Sequence, residues 1–205
     1  MLYKTYRKLR HQLLKLFRNK MSGKAVVSEK SRIREEIKRL KFKMTLDEKI
    51  AQADAVFRKI ESMPEFKRAE TVLMYWSMPD ELPTHEFIKK WSGSKIILLP
   101  VVKGDRMTVR KFTSEEDLKS GQWKTMEPSL PHRSSIADLV IVPGIAFDSK
   151  KQRLGRGGGY YDRYFKHKNV HKWGIGFNFQ LFETIPSASF DIHMDKIITP
   201  DRTVE

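Results

Sequence analysis

Three near-continuous apolar runs do most to limit the fold: "TVLMYWS" (Thr71 to Ser77), "KIILLPVV" (Lys95 to Val102) and "DLVIVPGIAFD" (Asp138 to Asp148). A strand with one solvated face alternates apolar and polar residues. These do not, so each is expected to be buried on both faces. Helical patterns lie between and before them, as in "SEKSRIREEIKRLKFKM" from Ser28 and "THEFIKKW" from Thr84. Strands buried on both sides and separated by helices define an α/β fold: a mostly parallel sheet flanked by helices in three layers. "RMTVRKF" (Arg106 to Phe112) alternates instead and is placed at an edge or in a hairpin.

Local signals refine the frame. Ser28 is the expected N-cap of the first helix, with acids at Glu29 and Glu35 and an apolar stripe of Ile33, Ile37 and Leu40. A second helix is expected after Thr45, because Glu48 completes a capping box three residues on. "KWGIGFNF" (Lys172 to Phe179) reads as a late strand and "DKIITP" (Asp195 to Pro200) as a terminal one.

A chain of 205 residues that is 40% hydrophobic can bury one sizeable core. It has no cysteine, so disulfides, cysteine-rich zinc sites and thiol nucleophiles are excluded. No apolar run approaches the roughly 18 to 20 residues of a membrane span, and no secretory segment is recognised near the start. A soluble, cytoplasmic protein is expected.

The net charge is +15, and eight of the cations fall in residues 1–28, which contain no acid. There Leu2, Tyr6, Leu9, Leu13 and Leu16 form one helical stripe among Lys and Arg residues. Such an arm suits an anionic surface, a docking partner or an import presequence, although few serines argue against the last; an extension without a role in the chemistry is the plain alternative. With Ser22 to Lys24 as a linker, the expected organisation is a basic amphipathic helical extension over 1–28 and one domain over 29–205. No aromatic RNA-recognition pattern, zinc-finger spacing or clear helix-turn-helix accompanies the charge, so no specific nucleic-acid partner is expected.

The segment "RLGRGGGYYDRY" (Arg153 to Tyr164) follows the third apolar run. In open α/β sheets ligands bind beyond the carboxyl ends of strands, which puts this loop where a site belongs. Its glycines fit either a tight turn or a backbone that approaches phosphate, with Arg153 and Arg156 at its flanks. It is neither a dinucleotide fingerprint, which needs glycine at Tyr160, nor a Walker A loop, which needs Lys-Ser or Lys-Thr after the last glycine. His167 and His171 are four apart, but Lys166, Lys168 and Lys172 repel a metal and no HExxH glutamate is present.

Longer matches give these residues a context. "PGIAFDSKKQRLGRGGGYYDRYF" (Pro143 to Phe165) resembles the signature of the 5-formyltetrahydrofolate cyclo-ligase family, also called methenyltetrahydrofolate synthetases. "KSRIR" (Lys30 to Arg34), "YWSMPDELPT" (Tyr75 to Thr84), Leu99–Pro100, Glu127–Pro128 and "IPSASFDIHMDKIIT" (Ile185 to Thr199) follow the same order, so the resemblance spans about residues 29–200. Lys151 stands where that family usually has glycine, and Phe190 where a histidine often precedes the aspartate.

The resemblance implies an ATP-dependent ligase that converts 5-formyltetrahydrofolate, with or without a polyglutamate tail, into 5,10-methenyltetrahydrofolate through a phosphorylated formyl group. Its implied nucleotide contacts are Lys30, Arg34, Arg153, Gly155, Arg156, Gly157, Gly158, Gly159, Tyr160 and Tyr161. The implied folate contacts are Trp76, Glu81, Arg156 and Tyr160, with Arg156 and Glu81 as the catalytic pair. Asp162 and Asp191 match the family's Mg²⁺ carboxylates. From the residues alone, Lys30 and Arg34 also read as an exposed basic face, Trp76 as core and Asp162 as a helix-start residue. The alternatives are a repurposed family member that binds nucleotide with another ligand, and a basic nucleic-acid-binding protein.

Overall fold

The computed structural model describes residues 23–130, 137–188 and 191–205, with side chains from residue 26 onward. The apolar stripe of the basic arm, Ser22 and Phe190 lie outside these residues.

Helix α1 runs Gly23–Phe42. It begins before Ser28, which is a residue of the helix and not its cap, so the boundary expected at 28/29 and the linker residues Gly23 and Lys24 fall inside the helix. Nothing between Lys24 and Ser28 breaks a helix, since Ala25, Val26 and Val27 all accept helical backbone. Helix α2 (Leu46–Ser62) starts at the capping box as expected: Glu48 N–H donates to Thr45 Oγ1 at 3.2 Å and Thr45 N–H to Glu48 Oε2 at 2.9 Å. Such a cap contributes about 1 kcal/mol. Pro64 opens the short α3 (Pro64–Arg68), and α4 covers His85–Trp91.

Among the described residues a seven-stranded sheet is built from β1 (Thr71–Leu73), β2 (Ile96–Lys103), β3 (Arg106–Lys111), β6 (Leu139–Pro143), β9 (His171–Ile175), β11 (Lys196–Ile198) and β12 (Thr203–Val204). Its order is β12-β11-β9-β6-β1-β2-β3. The five inner strands pair in parallel, while β3 and β12 close the edges antiparallel. Alternate residues of the inner strands feed opposite cores. Val72, Ile97, Leu99 and Ile141 face α2 and α4, whereas Leu73, Leu98, Val140 and Val142 face Phe165 and Met194 on the other side. Both faces are covered, which is why the strand sequences do not alternate.

The third apolar run does not stay in one sheet. It leaves β6 at Pro143, turns at Gly144 and continues as β7 (Ala146–Asp148) in a separate small sheet, between β8 (Arg153–Leu154) and β10 (Leu181–Phe182). Phe147 enforces the turn: a Cβ on Gly144 would lie 2.4 Å from its ring. The buried Gln180 side chain donates to the carbonyls of both Gly144 and Ile145 at 2.8 Å and so pairs the polar groups of the corner. The α1 stripe of Ile33, Ile37 and Leu40 packs on this small sheet, against Ala146, Leu154 and Phe182. Each such side chain contributes roughly 1.5 to 3 kcal/mol by burial.

The remaining pair, β4 (Leu118–Ser120) with β5 (Met126–Pro128), had no clear signal in the sequence. Helix α5 (Tyr160–Phe165) follows the glycine loop.

Candidate functional site

The strand order reverses between β1 and β6, so the chains leaving these two strands diverge and open a crevice beyond their carboxyl ends. Tyr75 to Thr84 enters it from β1. The loop from Gly155 to Gly159 enters it by way of β6, β7 and β8. Gly157 (φ 108°) and Gly159 (φ 64°) lie in the left-handed region, and Gly159 caps α5. At these two positions the turn itself requires glycine.

Arg156 extends from the loop to the β1 side of the crevice. Its Nη2 donates to Glu81 Oε1 at 3.1 Å and to Asp80 Oδ1 at 2.6 Å. Glu81 is fixed by its other oxygen, which accepts from Met78 N–H at 3.0 Å. Burial pushes the Asp80 carboxyl up, but the hydrogen bond from Arg156 and the charges of Lys41 and Arg156 outweigh it and hold the group below the usual range. Arg156 is itself held protonated, because Glu81 and Asp80 overcome its own desolvation. The charge of the same carboxylate is felt by two phenols, the buried Tyr75 and the partly buried Tyr161. Burial pushes both hydroxyls up and the Glu81 charge adds to the effect, so both remain hydrogen-bond donors.

Helix α1 forms the third wall. Arg34 Nε donates to Gly155 O at 3.0 Å, and Lys30 Nζ to Asp191 Oδ2 at 2.5 Å. Lys30 and Arg34 therefore lie on one side of α1, the first toward Asp191 and the second toward the glycine loop. Burial lowers the Arg34 pKa, partly offset by Asp191.

The two aspartates lie close together. Ile192 N–H donates to Asp162 Oδ1 at 3.2 Å, while the preceding Asp191 accepts from Ala188 N–H at 2.7 Å. Each faces a cation: Arg153 Nη2 lies 3.1 Å from both oxygens of Asp162, and Lys30 pairs with Asp191. Asp162 is in the first turn of α5, whose cap is Gly159.

Arg153 and Trp76 turn inward. The Arg153 guanidinium is only 5% exposed; it bonds Pro143 O, pairs with Asp162 and lies 5.4 Å from the Tyr161 ring. Trp76 is buried in the core, its ring stacked on His85 at 4.0 Å and on Phe112 at 5.5 Å. Tyr160 stands at the outer rim, where its hydroxyl accepts from Trp123 Nε1 at 3.0 Å and donates to Gly104 O at 3.1 Å.

Asp80, Tyr75, Trp123 and Lys41 were not expected at the site. Tyr75 and Asp80 lie within the Tyr75 to Thr84 motif, and Lys41 carried a signal of its own: it lies four residues beyond Ile37, on the buried stripe of α1, where an apolar residue belongs. Its side chain is 2% exposed and its ammonium is 3.8 Å from Asp80.

The model of the 5-formyltetrahydrofolate cyclo-ligase family matches residues 26–200. The Escherichia coli 5-formyltetrahydrofolate cyclo-ligase is 31% identical over 153 residues, covering 69% of this chain and 84% of its own. A probable 5-formyltetrahydrofolate cyclo-ligase of Caenorhabditis elegans is 29% identical over 199 residues, covering 88% and 97%. Among solved structures, the Aquifex aeolicus 5,10-methenyltetrahydrofolate synthetase superposes with a TM-score of 0.78 at 30% identity, covering 85% of this chain and 91% of the other.

Proposed function

We propose, because this chain belongs to the 5-formyltetrahydrofolate cyclo-ligase family, a division of labour within one crevice that couples ATP cleavage to ring closure. The chain is a ligase of folate metabolism that converts 5-formyltetrahydrofolate to 5,10-methenyltetrahydrofolate with release of ADP and phosphate. The observation that carries the reading of the site is Arg156, which rises from the glycine loop and pairs with Glu81, 75 residues earlier. That contact places the groups suited to phosphate next to the carboxylate suited to a pterin.

A formyl oxygen on nitrogen is a poor leaving group. In the first step it takes the γ-phosphoryl group: an O–P bond forms, the bond to the bridging oxygen breaks, and ADP remains. The neighbouring nitrogen then attacks the activated carbon, the C–O bond breaks, phosphate departs and the nitrogen loses its proton. No enzyme nucleophile is needed, in keeping with a chain that has no cysteine. The protein's tasks are alignment and charge stabilisation.

Glu81, an acceptor whose charge is felt by two phenols, holds N–H groups of the folate. Arg156 swings its exposed guanidinium between Glu81 and the transferring phosphoryl oxygens. The backbone N–H groups of Gly155, Gly157, Gly158 and Gly159, with Lys30 and Arg34, bind the nucleotide phosphates. Arg153 and Trp76 serve indirectly: the first braces Asp162 and Tyr161, and the second backs the segment that carries Glu81. Tyr160 and Trp123 form the outer rim.

Asp162 and Asp191 fit a magnesium ion in kind and number, since that ion takes one or two carboxylates and completes its shell with phosphate oxygens and water. Among the described residues no third His, Cys, Asp or Glu joins them in a metal-binding group. When bound, the ion would neutralise charge on the phosphates, with Lys30 and Arg153 as the cations beside its two carboxylates.

Among the described residues no helix is long and apolar enough to cross a membrane, and we place the enzyme in the cytoplasm. Every assigned side chain lies at Lys30 or beyond, so the basic arm serves an anionic surface and not the chemistry. The test is a purified-protein assay with ATP, 5-formyltetrahydrofolate and Mg²⁺, following the near-ultraviolet absorbance of the methenyl product. Product formed without nucleotide would sink the phosphorylation mechanism.

A further inference from the structure

The acceptor capacity of Glu81 is largely taken up within the protein itself. A carboxylate offers about four lone-pair sites. Three hydrogen bonds reach this one: Oε2 accepts from Met78 N–H at 3.0 Å, and Oε1 accepts from Arg156 Nη2 at 3.1 Å and from Arg156 Nε at 3.3 Å. The paired N–H groups of a pterin edge need two sites, so one of these bonds must give way. The Met78 bond belongs to a braced turn, closed by Glu81 N–H on Met78 O at 2.9 Å and tied to α2 by Lys49 Nζ on Pro79 O at 2.9 Å. Arg156 is the partner that can leave: its side chain is 44% exposed, against 5% for Arg153.

Leaving Glu81 does not release Arg156 to solvent. Its Nη2 also donates to Asp80 Oδ1 at 2.6 Å, the shortest of its bonds, and Asp80 sits in the same braced turn. Resting on the reading of Glu81 as the folate acceptor and Arg156 as the phosphate donor, we propose that Arg156 couples the binding of the two substrates, with Asp80 as the positioning residue that holds it between them. Without folate, a nucleotide must draw the guanidinium away from two carboxylates. Once folate occupies Glu81, it must draw the guanidinium away from Asp80 alone. Each ligand therefore strengthens the binding of the other.

The coupling also guards the nucleotide. While Arg156 is held by both carboxylates, the γ-phosphate lacks the donor that stabilises its transfer. Hydrolysis, in which water in place of the formyl oxygen takes the phosphoryl group and ADP leaves, is thereby disfavoured until folate is bound. The two carboxylates have separate tasks: Glu81 senses the folate, and Asp80 keeps Arg156 within reach of the phosphate and weakens its hold on nucleotide that arrives first.

Calorimetry with Mg²⁺ and the β,γ-imido analogue of ATP reads the coupling without turnover: the analogue is titrated alone and with saturating 5-formyltetrahydrofolate, and then the folate with and without the analogue. In the parent chain each ligand should tighten the other by the same factor, about fivefold or more. In Arg156→Ala that factor should fall to about one, because the shared group is gone. Asp80→Asn keeps the size of the side chain and weakens its hold, so without folate the analogue should bind about threefold tighter and ADP release from ATP should rise. Removing a negative charge also favours a polyanion through space. That part persists when Asp80→Asn is combined with Arg156→Ala, whereas the part due to holding Arg156 disappears. No mutual tightening in the parent, or the same tightening in Arg156→Ala, would overturn the coupling, and neither comparison depends on how the Asp80 variant folds. An effect of Asp80→Asn that is equal with and without Arg156 would overturn the role of Asp80. A chain that binds the analogue and no folate would overturn the substrate reading and the coupling with it, whereas folate binding that ignores the analogue would overturn the coupling alone.

Discussion

Lys30 and Asp191, 161 residues apart, meet at 2.5 Å and join the first described helix to the loop that precedes β11. Asp191 is also fixed by Ala188 N–H, so the carboxylate is set before any ligand arrives. Asp162 has a different setting, since its partner Arg153 is buried and cannot turn to water. The two aspartates should therefore respond differently to the same substitution.

Asp191→Asn should lower turnover at least about a hundredfold with a small effect on melting, and added Mg²⁺ should restore part of it. Asp162→Asn should lower turnover as well, but should also destabilise the fold by about 3 kcal/mol, because it strands the buried Arg153 charge. The measurements are turnover against Mg²⁺ concentration and thermal melting for both variants. Normal turnover with an unchanged magnesium dependence in Asp191→Asn would reject the metal role of that residue.

Arg156→Ala removes a half-exposed guanidinium whose value lies in the transition state. We expect kcat to fall by roughly 10²- to 10³-fold with melting little changed. Activity within twofold of the parent would withdraw the role. Arg156→Lys keeps the charge but not the two-pronged contact with Asp80 and Glu81, and should recover only a fraction.

Lys151 has φ 63° in the turn between β7 and β8. The turn is held by the buried Asp148, whose oxygens accept from the N–H groups of Lys150, Gln152 and Ile185 at 2.9 to 3.0 Å. Lys151→Gly relieves the left-handed strain and should stabilise by about 1 kcal/mol, a rise of roughly 2 to 4 °C in Tm. A lower Tm would show that the lysine side chain contributes more than its backbone costs.

Stability should also report Lys41. Because its pKa is lowered in the folded state, the folded chain binds fewer protons than the unfolded chain between that value and the ordinary lysine value of 10.5. Unfolding free energy gains a rising contribution with pH in that window. The other charged groups facing it, Asp80, Glu81, Arg156 and Lys49, are common to the parent and to Lys41→Met, so the difference between the two isolates Lys41. Urea unfolding as the pH rises toward 10.5 should show the parent gaining on the variant. Parallel curves would mean that the ammonium is better compensated than its neighbours indicate.

The parallel sheet was legible because burial on both faces leaves a mark on every strand residue, as in "VIV" of β6. The cap at Thr45 was legible because both partners lie within one turn. Features that depend on distant partners were not. The bend at Gly144 needs the Phe147 ring and Gln180 together, and neither is visible in an unbroken apolar run. The early start of α1 left no sign because Ser28 carries a capping side chain yet nothing upstream forces the chain out of the helix. At the site, the motif residues named the right loops but not their directions. Arg153 and Arg156 look equivalent in "RLGRGGG", yet the first is committed to Asp162 and the second reaches Glu81.

Helix α1 has a further consequence during synthesis. The apolar stripe, Lys30 and Arg34 find their partners in Ala146, Leu154, Gly155, Phe182 and Asp191, all from the later part of the chain. On the ribosome the helix emerges with Ile33, Ile37 and Leu40 uncovered, and it must wait for more than a hundred residues before its seat exists. Formation of the catalytic crevice is therefore a late event in the life of the nascent chain, and a product shortened before Ala146 retains the helix without the structure that gives it a function.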